Sequence, residues 1–324
     1  MVLADVTVAK EEQAESLGLF LDGVLIETQI SYWRGKRPLT AEDLGADPND
    51  IPDIFTLGRK LIVPKDALAA FQKIEARAHY ITEQFTFPFP TGRARFIPYS
   101  VLEGVIEKLK QAQQEFNYYT EQFFEHYEEY RQEFIEKYPD WKDALEKGYI
   151  GEPELRKRFK FGYLLYEVSL PKGARFKAVQ ERDAVDDAKA RESAIKEAEE
   201  EYKAQFREQI DTFLVGSVAK LRAAVGDAVV NVAAKLEKGD MVTAHSLNSL
   251  KNTIDKFKTL NFIGDTEVST KLAELEALIP ESGKKFEEEE FKASFQTVLD
   301  SVTNTILESD ISVVTGEYKR KLRI

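Results

Sequence analysis

The sequence predicts a mainly α protein: a long antiparallel helical bundle with coiled-coil character, plus a small antiparallel β element. Three observations carry that expectation. From Val101 to Tyr138 the residues Leu102, Val105, Leu109, Ala112, Phe116, Tyr119, Phe123, Tyr127, Tyr130 and Phe134 follow at steps of three or four, with Lys, Glu and Gln in most other places. That is one face of a helix, close to a heptad seam. A second stretch, from about Phe176 to Leu236, repeats the pattern through Ile195, Ala198, Tyr202, Phe206, Ile210, Phe213, Leu214, Val218, Leu221, Val225, Val229 and Val232. Two shorter runs alternate as strands do. At ~1.5 Å per residue the 101–138 helix would be a rod of roughly 55 Å. Such a rod cannot hide its apolar face alone, so 195–236 is expected to return antiparallel along it.

Size and composition bound the rest. With 324 residues the chain can form one large core or two smaller ones, and 31% charged residues suit long exposed helices. Two regions are expected: 1–175, with the β element, an aromatic loop and the long helix, and 176–324, a helical region packing back on it. The net charge of -12 repels phosphate backbones, so nucleic acid is not an expected partner unless a local basic patch works against the global field. Without cysteine there is no disulfide, thiol nucleophile or Cys-ligated zinc. The first residues lack the basic region and apolar block of an export signal, and no apolar run approaches the ~20 residues that span a bilayer. A soluble cytoplasmic protein is the expectation.

Taken in order, residues 1–16 read as a polar lead-in. In Leu17–Trp33 the even-numbered Val24, Ile26, Thr28, Ile30 and Tyr32 form the apolar side of a half-buried strand; a short helix is the alternative. Arg34-Gly35-Lys36-Arg37-Pro38 breaks the element and concentrates positive charge. Thr40 to Leu44 reads as a capped helical turn closed by Gly45. Pro64 starts a helix with Leu68, Phe71, Ile74, Ala78 and Ile81 on one face. Two prolines and a glycine in Phe85–Gly92 forbid helix there, and its three phenylalanines are expected in the core. After the main helix come a short helix over 140–147, a basic segment and a second strand, Phe161–Leu170, closed by Pro171-Lys172-Gly173. That strand is expected to pair with the one near 24–33. Gly216 and Gly226 are weak points of the second long helix. Helices over 241–260, 266–279 and 284–308, bounded by Gly239-Asp240, Gly264-Asp265 and Pro280–Gly283, lead to a basic tail, Tyr318–Ile324.

A search for chemistry leaves little. None of His79, His126 and His245 has a Glu three residues earlier, the di-iron bundle spacing. His126 and Glu129 could share a face, but a solvated histidine on an acidic helix is the plainer reading. No G-x-x-x-x-G-K-[ST], G-x-G-x-x-G or G-x-S-x-G occurs. Glu201-Tyr202-Lys203 is an E-x-K triplet of the kind Glu/Lys-rich helices throw up by chance. No enzyme, cofactor or metal site is expected. What remains are basic clusters: Trp33, Arg34, Lys36 and Arg37, then Arg156, Lys157, Arg158 and Lys160, with Arg93 and Arg95 able to join them. If the two strands pair, these ten residues would form a partner-binding end, weighed against ordinary surface charge near turns. Phe213–Leu236, apolar and rich in small residues, suits core packing; membrane insertion is its alternative. Glu287–Glu290 suits the acidic first turn of a helix.

Three stretches resemble a known family: Ile30–Leu39 with Glu42-Asp43-Leu44, then Leu57-Gly58-Arg59-Lys60 with Pro64–Leu68, then Phe96-Ile97-Pro98 leading into the long helix. Over roughly residues 20–170 their order and spacing resemble an uncharacterised bacterial and phage family, catalogued only as a domain of unknown function. Its genes often lie near those of a MoxR-type AAA+ ATPase and a von Willebrand A-type protein. The resemblance implies an ATPase-associated adaptor or substrate, and no catalytic residue. The leading expectation is therefore a non-catalytic protein-binding scaffold or adaptor that self-associates. A helical membrane-active protein and a nucleic-acid-binding protein are the alternatives.

Overall fold

The computed structural model of the chain describes residues 22–52, 54–90, 92–168, 185–238, 242–279, 289–320 and 322, with the helical backbone alone for 185–203 and 289–291. The lead-in 1–16, the Pro171-Lys172-Gly173 stop, the Gly239-Asp240 and Pro280–Gly283 boundaries, Glu287-Glu288 and, in the basic tail, Lys321, Arg323 and Ile324 lie outside these residues. The fold is mainly α, with ten α-helices and two small sheets among the described residues. Two compact units divide it. Unit 1 holds residues up to Leu25, Phe87–Leu102 and Tyr166 onward; unit 2 holds Ile26–Thr86 and Glu103–Leu165. The chain is thus not cut at residue 175. Residues 22–25 and 87–102 of the N-terminal half belong with the C-terminal helices.

The strands are β1 (Gly23–Ser31), β2 (Lys36–Pro38), β3 (Arg59–Leu61), β4 (Phe87–Pro88), β5 (Arg95–Pro98) and β6 (Lys160–Tyr166). One sheet has the order β4-β5-β1-β6; β2 and β3 make a separate antiparallel ribbon. The expected pairing of the 24–33 and 161–170 segments is present as β1 beside β6. The expected half-burial of β1 is not: Gly23, Val24, Leu25 and Ile26 are all buried, so its first half is covered on both faces. A Cβ on Gly23 would lie 2.4 Å from the Ile97 carbonyl oxygen, so only glycine lets β5 come this close.

In unit 2, α1 (Ala69–Phe85) follows a 3-10 turn that Pro64 opens, and buries the predicted face Leu68, Phe71, Ile74 and Ala78. The Thr40–Leu44 turn forms as expected. Thr40 N donates to Asp43 Oδ2 (2.9 Å), Asp43 N donates back to Thr40 Oγ1 (3.3 Å), and Gly45 closes it. The 101–138 rod is two helices, α2 (Tyr99–Glu125) and α3 (Tyr127–Lys137). His126 between them has φ -106° and ψ 5°, and its Nδ1 lies 2.9 Å from the Gln122 carbonyl oxygen. The ring competes for a helix acceptor and helical geometry lapses for one residue. Phe116, Phe123, Tyr127 and Phe134 are buried as the spacing requires, but Tyr119 is exposed and Phe124 is buried in its place. The short helix predicted over 140–147 is α4 (Lys142–Glu146) behind a 3-10 turn. A short helix, α5 (Glu152–Arg156), with Pro153 in its first turn, ends on the first residue of the basic segment, and Lys160 at the segment's end opens β6.

In unit 1, α6 (Val185–Glu237) packs against α7 (Ala244–Leu260), α9 (Glu289–Glu308) and α10 (Ile311–Lys319), and α8 (Thr266–Leu278) packs against α7 and α9. The predicted face of α6 is buried from Phe206 to Val232, and the helix continues through Gly216 and Gly226. Packing along the buried side outweighs the propensity cost of two glycines. The α6 seam is thus filled within unit 1 by α7, α9 and α10. The α2 aromatics are filled within unit 2 by Phe71, Phe159 and Phe161. The 85–92 stretch is the start of a β4–β5 hairpin rather than a plain crossing. Phe87 and Phe89 are buried as expected, in ring contact with Phe262 and Phe213.

Candidate functional site

The predicted basic residues gather in unit 2 around the β1–β6 pair. Ser31 Oγ donates to the Arg158 carbonyl oxygen (3.2 Å), which sets the 31–37 and 156–160 segments side by side. Trp33 is a correction to the sequence reading. It is buried, edge-on to Phe123 and Tyr127 with ring centroids 6.4 and 6.0 Å away, and serves the core rather than a partner. Its Nε1 has no hydrogen-bond acceptor among the described residues.

Arg34 forks onto Glu75 of α1. Its Nη1 donates to Oε2 (2.9 Å) and Nη2 to Oε1 (2.7 Å), while the guanidinium lies 3.9 Å from the Tyr32 ring centroid. The hydrogen bond from Arg34 holds Glu75 below the usual carboxylate range despite partial burial. Burial, and then the Glu75 charge, push the Tyr32 phenol up to about 12. Arg156 repeats the arrangement. Its Nε donates to Glu152 (2.7 Å), Nη1 donates to both oxygens of Glu121 (2.9 and 3.0 Å), and its guanidinium sits 4.2 Å over Phe124. Lys157 pairs with Glu154 at 2.5 Å. Arg37 Nε donates to the Gly148 carbonyl oxygen (3.0 Å). Opposite Arg37 in the β2–β3 ribbon is Lys60, whose charge is met by the nearly buried Asp43. The two like charges therefore do not face each other unpaired.

Lys36, Arg158 and Lys160 are exposed. Arg93 and Arg95 belong to unit 1, on the β4–β5 hairpin; Arg93 is exposed and Arg95 half-buried. Of the ten predicted residues the structure thus brings Arg34, Lys36, Arg37, Arg156, Lys157, Arg158 and Lys160 to one unit. Two of these charges, Arg34 and Arg156, are already matched by carboxylates far away in sequence, and Lys157 is matched by its neighbour Glu154.

The sequence reading missed a buried pair in unit 1. Arg222 Nε donates to Asp265 Oδ2 (2.7 Å), with side chains 3% and 2% exposed, and Nη1 donates to the Ser309 carbonyl oxygen (2.7 Å). Asp265 Oδ1 also accepts from Val268 N, capping α8. The signal was present: Arg222 interrupts an apolar run, and Gly264-Asp265 opens a helix. Among the described residues no group of three or more His, Asp or Glu is arranged to hold a metal, and no helix is long and apolar enough to cross a membrane. His126 spends its ring on its own helix.

No curated protein and no solved structure matches the chain. The family described as Protein of unknown function (DUF3150) matches residues 21–298, and the chain belongs to that family.

Proposed function

We propose that the chain is a non-catalytic protein-binding scaffold or adaptor working with a AAA+ ATPase system. The observation that supports this most is the charge pattern of unit 2. Arg34 and Arg156 are each fixed by carboxylates and laid on an aromatic ring, with Lys36, Arg158 and Lys160 exposed nearby. A preset array of alternating charges fixes the orientation of a docking partner and speeds its encounter. It performs no bond-making step. The partner reading draws on the resemblance to a family encoded beside MoxR-type ATPases and von Willebrand A-type proteins. The coiled-coil character proposed for the fold rests on α6, whose 53 residues reach ~80 Å, long enough to serve self-association as well as internal packing.

A tagged full chain pulled from its native host tests the proposal. The expected eluate contains a AAA+ ATPase or a von Willebrand A-type protein in fixed ratio, identified by mass spectrometry. The charge-reversed pair Arg158→Glu, Lys160→Glu is expected to lower that yield about tenfold. Recovery of monomeric chain alone under every salt condition would overturn it.

A further inference from the structure

The connection between β2 and β3, residues 39–58, is far longer than the ~2–5 residues that join most hairpins. Connections of that length in a compact unit are commonly functional. At its far end Ile54 and Phe55 are 84% and 62% exposed, two adjacent large apolar side chains in water. Single exposed apolar residues are ordinary, and this pair is set apart by its surroundings. The backbone that presents it is held locally. Asp47 Oδ1 accepts from Asn49 N and Nδ2 (both 2.8 Å), Asp50 N donates to the Asp47 carbonyl oxygen (2.9 Å), and Phe55 N donates to that of Pro52 (2.9 Å). Leu39 N closes the base of the loop on the Gly58 carbonyl oxygen (3.0 Å). Much of the ordering that binding would otherwise require is already in place.

Charge selects the partner. Residues 39–58 carry Glu42, Asp43, Asp47, Asp50 and Asp53 and no Lys or Arg; Lys60 neutralises only Asp43. We propose that this loop is a docking knob: Ile54 and Phe55 enter an apolar pocket of another folded protein, and Lys or Arg side chains around that pocket meet Asp47 and Asp50. An apolar centre inside a polar rim is the usual anatomy of a specific interface. An acidic loop is repelled by anionic lipid. The inference rests on the adaptor reading and gives it a surface distinct from the Arg34–Arg156 array.

The test places the photo-crosslinker p-benzoylphenylalanine at position 55 of the full chain, in its native host. The protein cross-linked there is purified and its affinity measured for the wild type and for Ile54→Ser, Phe55→Ser. Uncovering two such side chains is expected to weaken binding about a hundredfold, and Asp47→Asn, Asp50→Asn to flatten the salt dependence. Trp33 fluorescence and circular dichroism check that the variants stay folded. An adduct at an apolar stretch flanked by Lys or Arg, with these losses, supports the knob. An adduct with a second copy, no adduct at all, or unchanged affinity in the double Ser variant overturns it. If the wild type still co-purifies with an ATPase in that last case, the adaptor reading stands and only the knob falls.

Discussion

Two ion pairs, one in each unit, have the same N–O distance of 2.7 Å and opposite surroundings. Arg222–Asp265 in unit 1 is 3% and 2% exposed; Arg34–Glu75 in unit 2 is 48% and 21% exposed. Geometry alone would rank them equal. In water a pair is worth little, because its charges were already solvated. Out of water desolvation offsets the attraction within the pair, but removing one partner strands a charge where nothing can hydrate it. Arg222 shows the strain of that position, since its Nη2 finds no acceptor among the described residues. The buried pair thus joins α6 to the start of α8 and the residue after α9, while the exposed pair shapes a surface.

The sharpest break of this comparison is Asp265→Ala. It strands Arg222 and uncaps α8, and is expected to cost about 3–5 kcal/mol, read as a lower denaturant midpoint by circular dichroism. Replacing both partners with apolar residues, Arg222→Met with Asp265→Leu, is expected to recover most of that loss; a double variant as unstable as the single would show that the charge was not the issue. In unit 2, Arg34→Met is expected to cost only about 0–1 kcal/mol, and less at high salt. Both tryptophans, Trp33 and Trp141, lie in unit 2, so fluorescence reads that unit by itself.

The smallest effect is in pH. Glu75 is depressed, so its contribution is whole above its ordinary range near ~4.3 and fades as pH falls toward the lower folded value. Tyr32 is raised, so its contribution is whole below ~10 and fades as pH climbs toward about 12. Arg34→Met should flatten the acid limb. An unchanged acid limb would mean that the pair does not set it.

Legibility followed the range of the forces involved. Faces set by local periodicity were readable: Phe206 to Val232 on α6, Phe71 to Ala78 on α1, and the helices α7, α8 and α9 almost to their ends. Local caps were readable too, as at Thr40 and Asp43. What depends on distant residues was not. The basic clusters looked like free charge because Glu75 stands 41 residues from Arg34 and Glu121 35 from Arg156. Trp33 looked like a surface aromatic because Phe123 and Tyr127, which enclose it, lie on another element. The β4–β5 hairpin hid behind its prolines, its strands being too short to show alternation. The lapse at His126 turns on one ring reaching back to Gln122, which no hydrophobic period encodes.

Tyr318 in α10 donates its hydroxyl to Asp22 Oδ2 (3.0 Å), just ahead of β1. The same tyrosine packs edge-on to Phe262, which touches Phe87 and Phe96 of the hairpin. During translation every segment of unit 2 has been made by residue 165, whereas the hairpin must wait for residue 318. At roughly 5–20 residues per second that wait is on the order of ten to forty seconds. Until residue 213 is made, Phe87, Phe89 and Phe96 have none of their ring partners Phe213 and Phe262, so a nascent chain stalled near residue 200 is expected to recruit chaperones at the hairpin while Trp33 is already shielded.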